Sequence, residues 1–270
     1  MTRAVVEFAS RSDRGHVRPR NEDSVVVHAD AGVVVIADGI GGASSGDVAS
    51  RVATEIIGQR FLRQRPSRVE PRRAQLLAEA AVDEANGAIL DHARHKEGCA
   101  GMGTTVVVGY FGNTWLVYGH VGDSRLYRLR GRKLEQLTSD HSFIQEVVDQ
   151  GFFPDLEEAR RYGINENVLT RAVGSTSHVA ATTAVTDLCV GDIYLFCTDG
   201  LSGMVPDNEL QMVLSSVQGS LGIAADALVH MACENGGNDN ITLALARVRS
   251  IGDDQQQGES AGADEEPAST

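Results

Sequence analysis

The chain has four cysteines in 270 residues and no Cys-x-x-Cys pair, which removes a zinc knuckle as its organising unit. A chain of this size can bury a sizeable core without disulfide staples. Cys99, Cys189, Cys197 and Cys233 are therefore expected to be reduced and mostly buried, which suits a cytoplasmic protein. No apolar run approaches the ~20 residues of a membrane span. Met1 to Arg20 is polar with several arginines, so no secretory leader is expected. Basic charge is also scarce: 24 Lys and Arg stand against 37 Asp and Glu, for a net charge of −13. An acidic body argues against a nucleic-acid partner. The arginine-rich stretch from Arg51 to Arg73 is the local exception, and it reads as a solvated helix face and loop. No repeat recurs at a fixed period.

With 42 % hydrophobic and 23 % charged residues, the composition is that of an ordinary globular protein. Val33-Val34-Val35-Ile36 reads as a strand buried on both faces. It runs into Asp38 and a glycine-rich turn, after which Ala43 to Gln64 has helical character. Strands are expected at Ala4–Ala9, Ser24–His28, Thr104–Phe111, Thr114–Val121, Arg125–Leu129, Lys133–Leu137, Val179–Val185, Ile193–Thr198 and Ile241–Val248. Tight turns at Gly112-Asn113, Gly122-Asp123 and Gly131 predict antiparallel hairpins. Helices are expected from about Ser45, over Pro71–His95 with proline in the first turn, and near Asn208–Val217 and Ile223–Glu234. Residues 141–174 are too long for a simple turn and read as an inserted lid carrying two short helices. The last twenty residues hold six acids and almost nothing apolar, so a disordered acidic tail is expected at 251–270. Strands and helices arriving in blocks predict α+β layers, not alternating βαβ units.

The apolar strand that ends in an acid recurs. Asp38, Asp123 and Asp199 each follow a strand, Asp239 precedes one, and Glu22 and Asp23 precede another. Stacked strands would bring these acids to one end of the sheets. Clustered carboxylates repel, and one stays protonated unless a cation neutralises them. Oxygen ligands without His or Cys suit Mg²⁺ or Mn²⁺ and not Zn²⁺. Glycines beside three of the acids, Gly39, Gly122 and Gly200, let backbone carbonyls and waters come close. Two such ions a few Å apart share a water, lower its pKa and clamp the oxygens of an in-line displacement. Arg18, near the acids, cannot ligate metal, but its fork matches phosphate oxygens.

Seven stretches in order then carry a resemblance. They are Gly15-His16-Val17-Arg18-Pro19-Arg20-Asn21-Glu22-Asp23, Ala37-Asp38-Gly39-Ile40-Gly41-Gly42, Gly103-Thr104-Thr105, Gly122-Asp123-Ser124-Arg125, Leu137-Thr138-Ser139-Asp140-His141-Ser142, Cys197-Thr198-Asp199-Gly200-Leu201 and Asp239-Asn240-Ile241-Thr242. Over about residues 3–248 the chain resembles the metal-dependent protein Ser/Thr phosphatases of type 2C (the PPM family) in their bacterial form. The resemblance implies a four-layer α-β-β-α sandwich, two antiparallel sheets flanked by helix pairs, with residues 141–174 as the family's variable flap. It implies that Asp38 bridges two Mn²⁺ or Mg²⁺ ions and that the Gly39 carbonyl joins one of them. Asp199 and Asp239 complete the other, Glu22 lies close through water, and Asp123 holds a third ion. Arg18 is implied to bind the substrate phosphate. Implied partners are phosphorylated proteins, with a cognate Ser/Thr kinase, and a monomer is the default state. One position departs: eukaryotic-type members often carry His after the Asp-Gly, and here it is Ile40. Proton donation to the leaving oxygen then has no assigned side chain, leaving a metal-bound water as donor. His120 and His141 read as structural histidines.

Three rival readings compete with this one. A nucleotide-binding turn at Gly39-Ile40-Gly41-Gly42-Ala43-Ser44 lacks the third glycine and the P-loop lysine. A thiol mechanism lacks a Cys with an Arg six positions on, and an aspartyl-phosphate mechanism lacks an Asp-x-Asp pair. A non-catalytic phosphoprotein-binding member of the same fold would be favoured by a lost carboxylate, and none is lost.

Overall fold

This computed structural model describes residues 4–41, 45–65, 70–217 and 219–251. Gly42, the expected start of the first helix at Ala43, the linker after Arg65 and the acidic tail beyond Ile251 lie outside the described residues. The strands are β1 (Val5–Asp13), β2 (Asp23–His28), β3 (Val33–Ile40), β4 (Gly103–Thr104), β5 (Val106–Phe111), β6 (Trp115–Val121), β7 (Arg125–Arg130), β8 (Lys133–Gln136), β9 (Thr182–Asp187), β10 (Ile193–Cys197) and β11 (Ile241–Ser250). The helices are α1 (Gly46–Gln64), α2 (Pro71–His95), α3 (Phe143–Asp149), α4 (Leu156–Arg161), α5 (Asp199–Ser202), α6 (Asp207–Ser216) and α7 (Leu221–Glu234). No described helix is long and apolar enough to cross a membrane.

Two antiparallel sheets stack face to face. One has the order β1-β11-β10-β7-β8; the other runs β2-β3-β5-β6-β9, with β4 paired to β3. Strand β3 shows why the apolar run needs no alternation. Val33, Val35 and Ala37 face a core shared with α1 and α2, while Val34 and Ile36 face the core between the sheets. All five are fully buried, and each buried Val or Ile contributes roughly 1.5–3 kcal/mol relative to exposure. Between the sheets, Phe111 meets Phe8 and Tyr194 edge to face at 5.6 Å. Gly109 leaves room there for Phe196, since a Cβ would stand 2.5 Å from its ring. On the outer face of the other sheet, Leu195, Leu243 and Leu245 pack with Leu210, Leu214, Leu221 and Leu228 of α6 and α7. Three apolar layers between four structural layers give the α-β-β-α sandwich.

Several expectations change. The turn at Gly122-Asp123 makes no hairpin: β6 pairs with β5 and β9, β7 pairs with β8 and β10, and the turn carries the chain from one sheet to the other. A φ of +99° at Gly122 makes that exit possible. Strand β1 continues through Ser10–Asp13 because β11 pairs with it along that length. Strand β9 begins at Thr182, three residues late, where β6 begins to pair. Asp199 does not sit in a loop but opens the short helix α5. Cys99 and Cys197 are buried, whereas Cys189 and Cys233 are half-buried; all four are free thiols.

Between β8 and β9 the chain leaves the sheets. It carries α3 and α4, each capped by its own side chain, Ser142 for α3 and Asp155 for α4. The excursion is closed at its base by bridges between Ser142 and Leu169 and between Thr104 and Val173. Buried Asn86 on α2 grips the returning segment, accepting from Gly174 N at 2.7 Å and donating to Thr176 O at 3.0 Å.

Candidate active site

The acids do converge. A cleft of about 200 Å³ is lined by Arg18, Glu22, Asp38, Gly39, Asp239 and Asn240. It shares the Arg18–Asp239 wall with a groove of about 620 Å³ that takes in Asp123, Asp199, Asp140, Arg125 and the lid residues Ile144, Leu156 and Arg160.

Each acid is placed by backbone contacts that the motif residues make. Asp38 stands at the end of β3, in register with Asp23 of β2. Its backbone is held from both sides by the Thr pair after Gly103. Asp38 N donates to Thr105 Oγ1 at 3.0 Å, and Asp38 O accepts from Thr105 N at 2.9 Å and Thr104 Oγ1 at 2.7 Å. Glu22 N donates to Asn240 Oδ1, and Asn240 Nδ2 donates to the carbonyls of Arg14 and Arg20, all at 2.8 Å. Asn240 thereby ties the arginine-bearing loop to the start of β11, beside Asp239. Thr198 Oγ1 donates to Asp23 Oδ2 at 2.9 Å, linking the segment before Asp199 to β2.

The glycines beside the acids serve close backbone packing. A Cβ on Gly39 would stand 2.2 Å from Gly46 O, and one on Gly200 would stand 2.0 Å from Asn240 O. A side chain at either position would push the acid-bearing segments apart.

Electrostatics mark the cluster as unfinished without a cation. Burial, then the charges of Asp23 and Asp199, hold the Asp38 carboxyl well above the usual carboxylate range. Burial likewise raises Asp23 and Asp199. Asp123 is pushed up to about 7 by burial and by Asp199 and Asp140. Glu22 is raised by burial and the charge of Asp47. Asp23 Oδ1 and Asp199 Oδ1 are buried with no hydrogen-bond partner, an arrangement that costs stability unless something else satisfies them. Among the described residues no three His, Cys, Asp or Glu side chains close on one point as a finished cage; the acids line an open cleft instead. An oxygen-only donor set with orphaned, mutually repelling carboxylates fits a hard divalent ion.

Arg18 donates through Nη2 to Asp239 Oδ2 at 2.6 Å and is more than half exposed, so part of its fork is open to the cleft. Ile40 is at the surface, 38 % exposed. His120 and His141 stack on each other with centroids 4.4 Å apart and spend ring nitrogens on Ser139 O, Gly122 N and Thr182 Oγ1.

All six expected acid and glycine positions and Arg18 line one or other of these two pockets. Two residues without an assigned role emerge as part of the arrangement. Asp23 joins the acid cluster, and its signal was its place beside Glu22 at the mouth of a strand. Asn240 is the hub of the loop, and its signal was the polar residue following Asp239.

Comparison with known proteins places the fold in a family. The family model described as protein phosphatase 2C matches residues 14–227. The serine/threonine phosphatase stp of Listeria monocytogenes is 34 % identical over 238 residues, covering 87 % of this chain and 93 % of that protein. The serine/threonine protein phosphatase PstP of Mycobacterium tuberculosis is 37 % identical over 247 residues, 90 % of this chain and 45 % of that protein. A crystal structure of the PstP catalytic domain in complex with two manganese ions superposes with a TM-score of 0.80 at 34 % identity, covering 91 % of this chain and 99 % of that one. With the family model matching most of its length and relatives at this identity and coverage, the chain belongs to the protein phosphatase 2C family.

Proposed function

We propose that the cleft is the active site of a metal-dependent phosphatase acting on phosphoserine and phosphothreonine in proteins. Family membership and kinship with named serine/threonine phosphatases support that activity. The observation that carries the reading is the set of desolvated acids, two of them with orphaned oxygens, beside a half-open guanidinium.

In this reading Asp38 and the Gly39 carbonyl, with Asp199 and Asp239, would hold two Mn²⁺ or Mg²⁺ ions, Glu22 would stand nearby, and Asp123 would hold a third. The ions, when bound, supply a water of lowered pKa and neutralise charge on the phosphoryl oxygens. Arg18 receives the phosphate: its fork suits two oxygens at once, and Asp239 orients it from behind. Asp23 stands across from Asp38, its Oδ2 fixed by Thr198 and its Oδ1 buried without a partner. Ile40 cannot donate a proton, and His120 and His141 line neither pocket, so the leaving serine or threonine oxygen takes its proton from water. The lid at 141–174 walls the larger groove, where the peptide around the phosphorylated residue would lie. A cognate Ser/Thr kinase supplying phosphorylated substrates, a cytoplasmic location and a monomeric state complete the proposal.

The test is release of phosphate from a phosphothreonine peptide by the purified protein, with Mn²⁺ or with EDTA, beside Asp38→Ala. Metal-dependent turnover abolished in the variant is expected. A folded wild-type protein that binds the peptide with Mn²⁺ present but releases no phosphate would favour the phosphoprotein-binding alternative.

A further inference from the structure

Asp123 follows Gly122, whose backbone is clamped by a histidine side chain from the root of the lid. His141 is 7 % exposed. Its backbone N donates to Gly122 O at 2.9 Å, and its Nδ1 accepts from Gly122 N at 3.2 Å. Both backbone polar groups of the residue before Asp123 therefore end on one residue. The same His141 begins the lid. Its carbonyl accepts from Thr170 N at 2.9 Å, and the next residue, Ser142, bridges to Leu169. Its neighbour Asp140 takes Arg125, two residues past Asp123, in a forked ion pair at 2.7–3.1 Å.

The bonds fix the proton. Gly122 N can only donate, so Nδ1 carries no hydrogen, the proton sits on Nε2, and it is given to Thr182 Oγ1 at 3.0 Å. A doubly protonated ring would set two donors against each other. Burial, the stacked His120 ring and Arg171 push the His141 pKa down to about 3, in keeping with a neutral ring.

Resting on the phosphatase reading, we propose that His141 is a positioning residue. Its Nδ1 lone pair pins the Gly122-Asp123 turn to the root of the lid and so sets where the Asp123 carboxylate stands. The residue lines neither the cleft nor the groove. It acts through the backbone of Gly122, as outer-shell partners of metal ligands do.

Three full-length variants separate positioning from packing. In His141→Asn the amide oxygen takes the place of Nδ1 and keeps the bond to Gly122. In His141→Gln the longer amide fills more of the ring's volume but reaches toward the Nε2 side. His141→Ala does neither. Mn²⁺ binding to the metal-stripped proteins would be measured by electron paramagnetic resonance, and hydrogen exchange at the Gly122 amide would be measured on the same stripped samples. The expected order is wild type and Asn together, with Gln and Ala weakened roughly 10- to 100-fold for the loosest ion and exposed to faster exchange at Gly122. A packing role predicts the reverse, Gln near wild type and Asn behind it. That order, or Gly122 exchange unchanged in all three variants, overturns the proposal. Failure of wild type to bind a third ion would count against the metal at Asp123, while the exchange order in stripped protein still decides the role of His141.

Discussion

Arg18 and Asp239 are 221 residues apart in sequence, yet Nη2 of one lies 2.6 Å from Oδ2 of the other. The pair is solvent-exposed on the arginine side, 54 % against 30 %, so it adds little to stability. Its consequence is aim: the guanidinium is held over the acid cleft. Arg18→Ala is expected to lower kcat/KM for a phosphothreonine peptide about 100-fold. Arg18→Lys should lower it about tenfold, since a lysine keeps the charge and loses the fork. Thermal melting should shift by no more than a degree or two. Unchanged kcat/KM in Arg18→Ala would remove this residue from phosphate binding.

The orphaned acids predict a trade of stability against activity. In metal-free protein at pH 7.5, Asp199→Asn removes a buried charge among like charges, so its melting temperature should rise above that of wild type. Its metal-dependent turnover should fall by at least about 10³-fold, because one proposed ligand of a two-ion site is gone. A variant that melts lower without metal would show that the charge is satisfied in a way the geometry does not reveal.

The sign of the pH dependence follows from the same groups. Burial, with the charges of Asp199 and Asp140, pushes the Asp123 carboxyl up to about 7 from its ordinary value of 3.8, and burial raises Asp38 as well. The folded state therefore binds more protons than the unfolded state between roughly pH 4 and 7. This contribution to stability is complete below pH 4 and is lost as pH rises to 7. Metal-stripped protein should melt progressively lower from pH 5 to 7.5, and saturating Mn²⁺ should flatten that slope. Calorimetry across the range, with and without Mn²⁺, checks it; a melting temperature that climbs with pH in stripped protein contradicts it.

Arg125 and Asp140 form the most enclosed forked ion pair near the site, with side chains 18 % and 10 % exposed. Removing one partner strands the other. Asp140→Ala is expected to destabilise the protein by roughly 3–5 kcal/mol, and Arg125→Ala by a similar amount. The double variant should cost clearly less than the sum. Denaturant melts of the four proteins measure the coupling, and simple additivity would show the pair to be inert.

Gly200 is tested by one methyl group. Gly200→Ala places a Cβ about where Asn240 O sits, 2.0 Å away. Separation of α5 from the start of β11 is expected, with loss of Mn²⁺ binding and a melting temperature lower by several degrees. Gly219→Ala, with nothing within 4 Å of the new atom, is the matched control and should be near neutral.

Much of this was legible beforehand because the signals are local. Val33–Ala37 is apolar throughout since both its faces are covered. Helix α2 falls on Pro71–His95 because proline sets its first turn, and Leu156–Arg161 carries its own cap in Asp155. The acid positions were visible because each stands beside a glycine or a strand end. The sheet change at Gly122 was not visible, since a Gly-Asp turn looks alike whether it returns to the same sheet or crosses to the other. Nor was the start of β9, which depends on where β6 offers partners.

By itself, then, the sequence determined which segments extend or coil, where the carboxylates stand along them, and which family they spell. Periodicity and turn chemistry act over a few residues, and those are written in order along the chain. Only the tertiary structure decided which acids meet, that Asp23 faces Asp38, that Asn240 knots the arginine loop, and that His141 braces the turn carrying Asp123. Those relationships join residues as much as 226 positions apart, through hydrogen bonds whose partners no local pattern names. They exist because two sheets pack on a common core and bring their acid-bearing ends together.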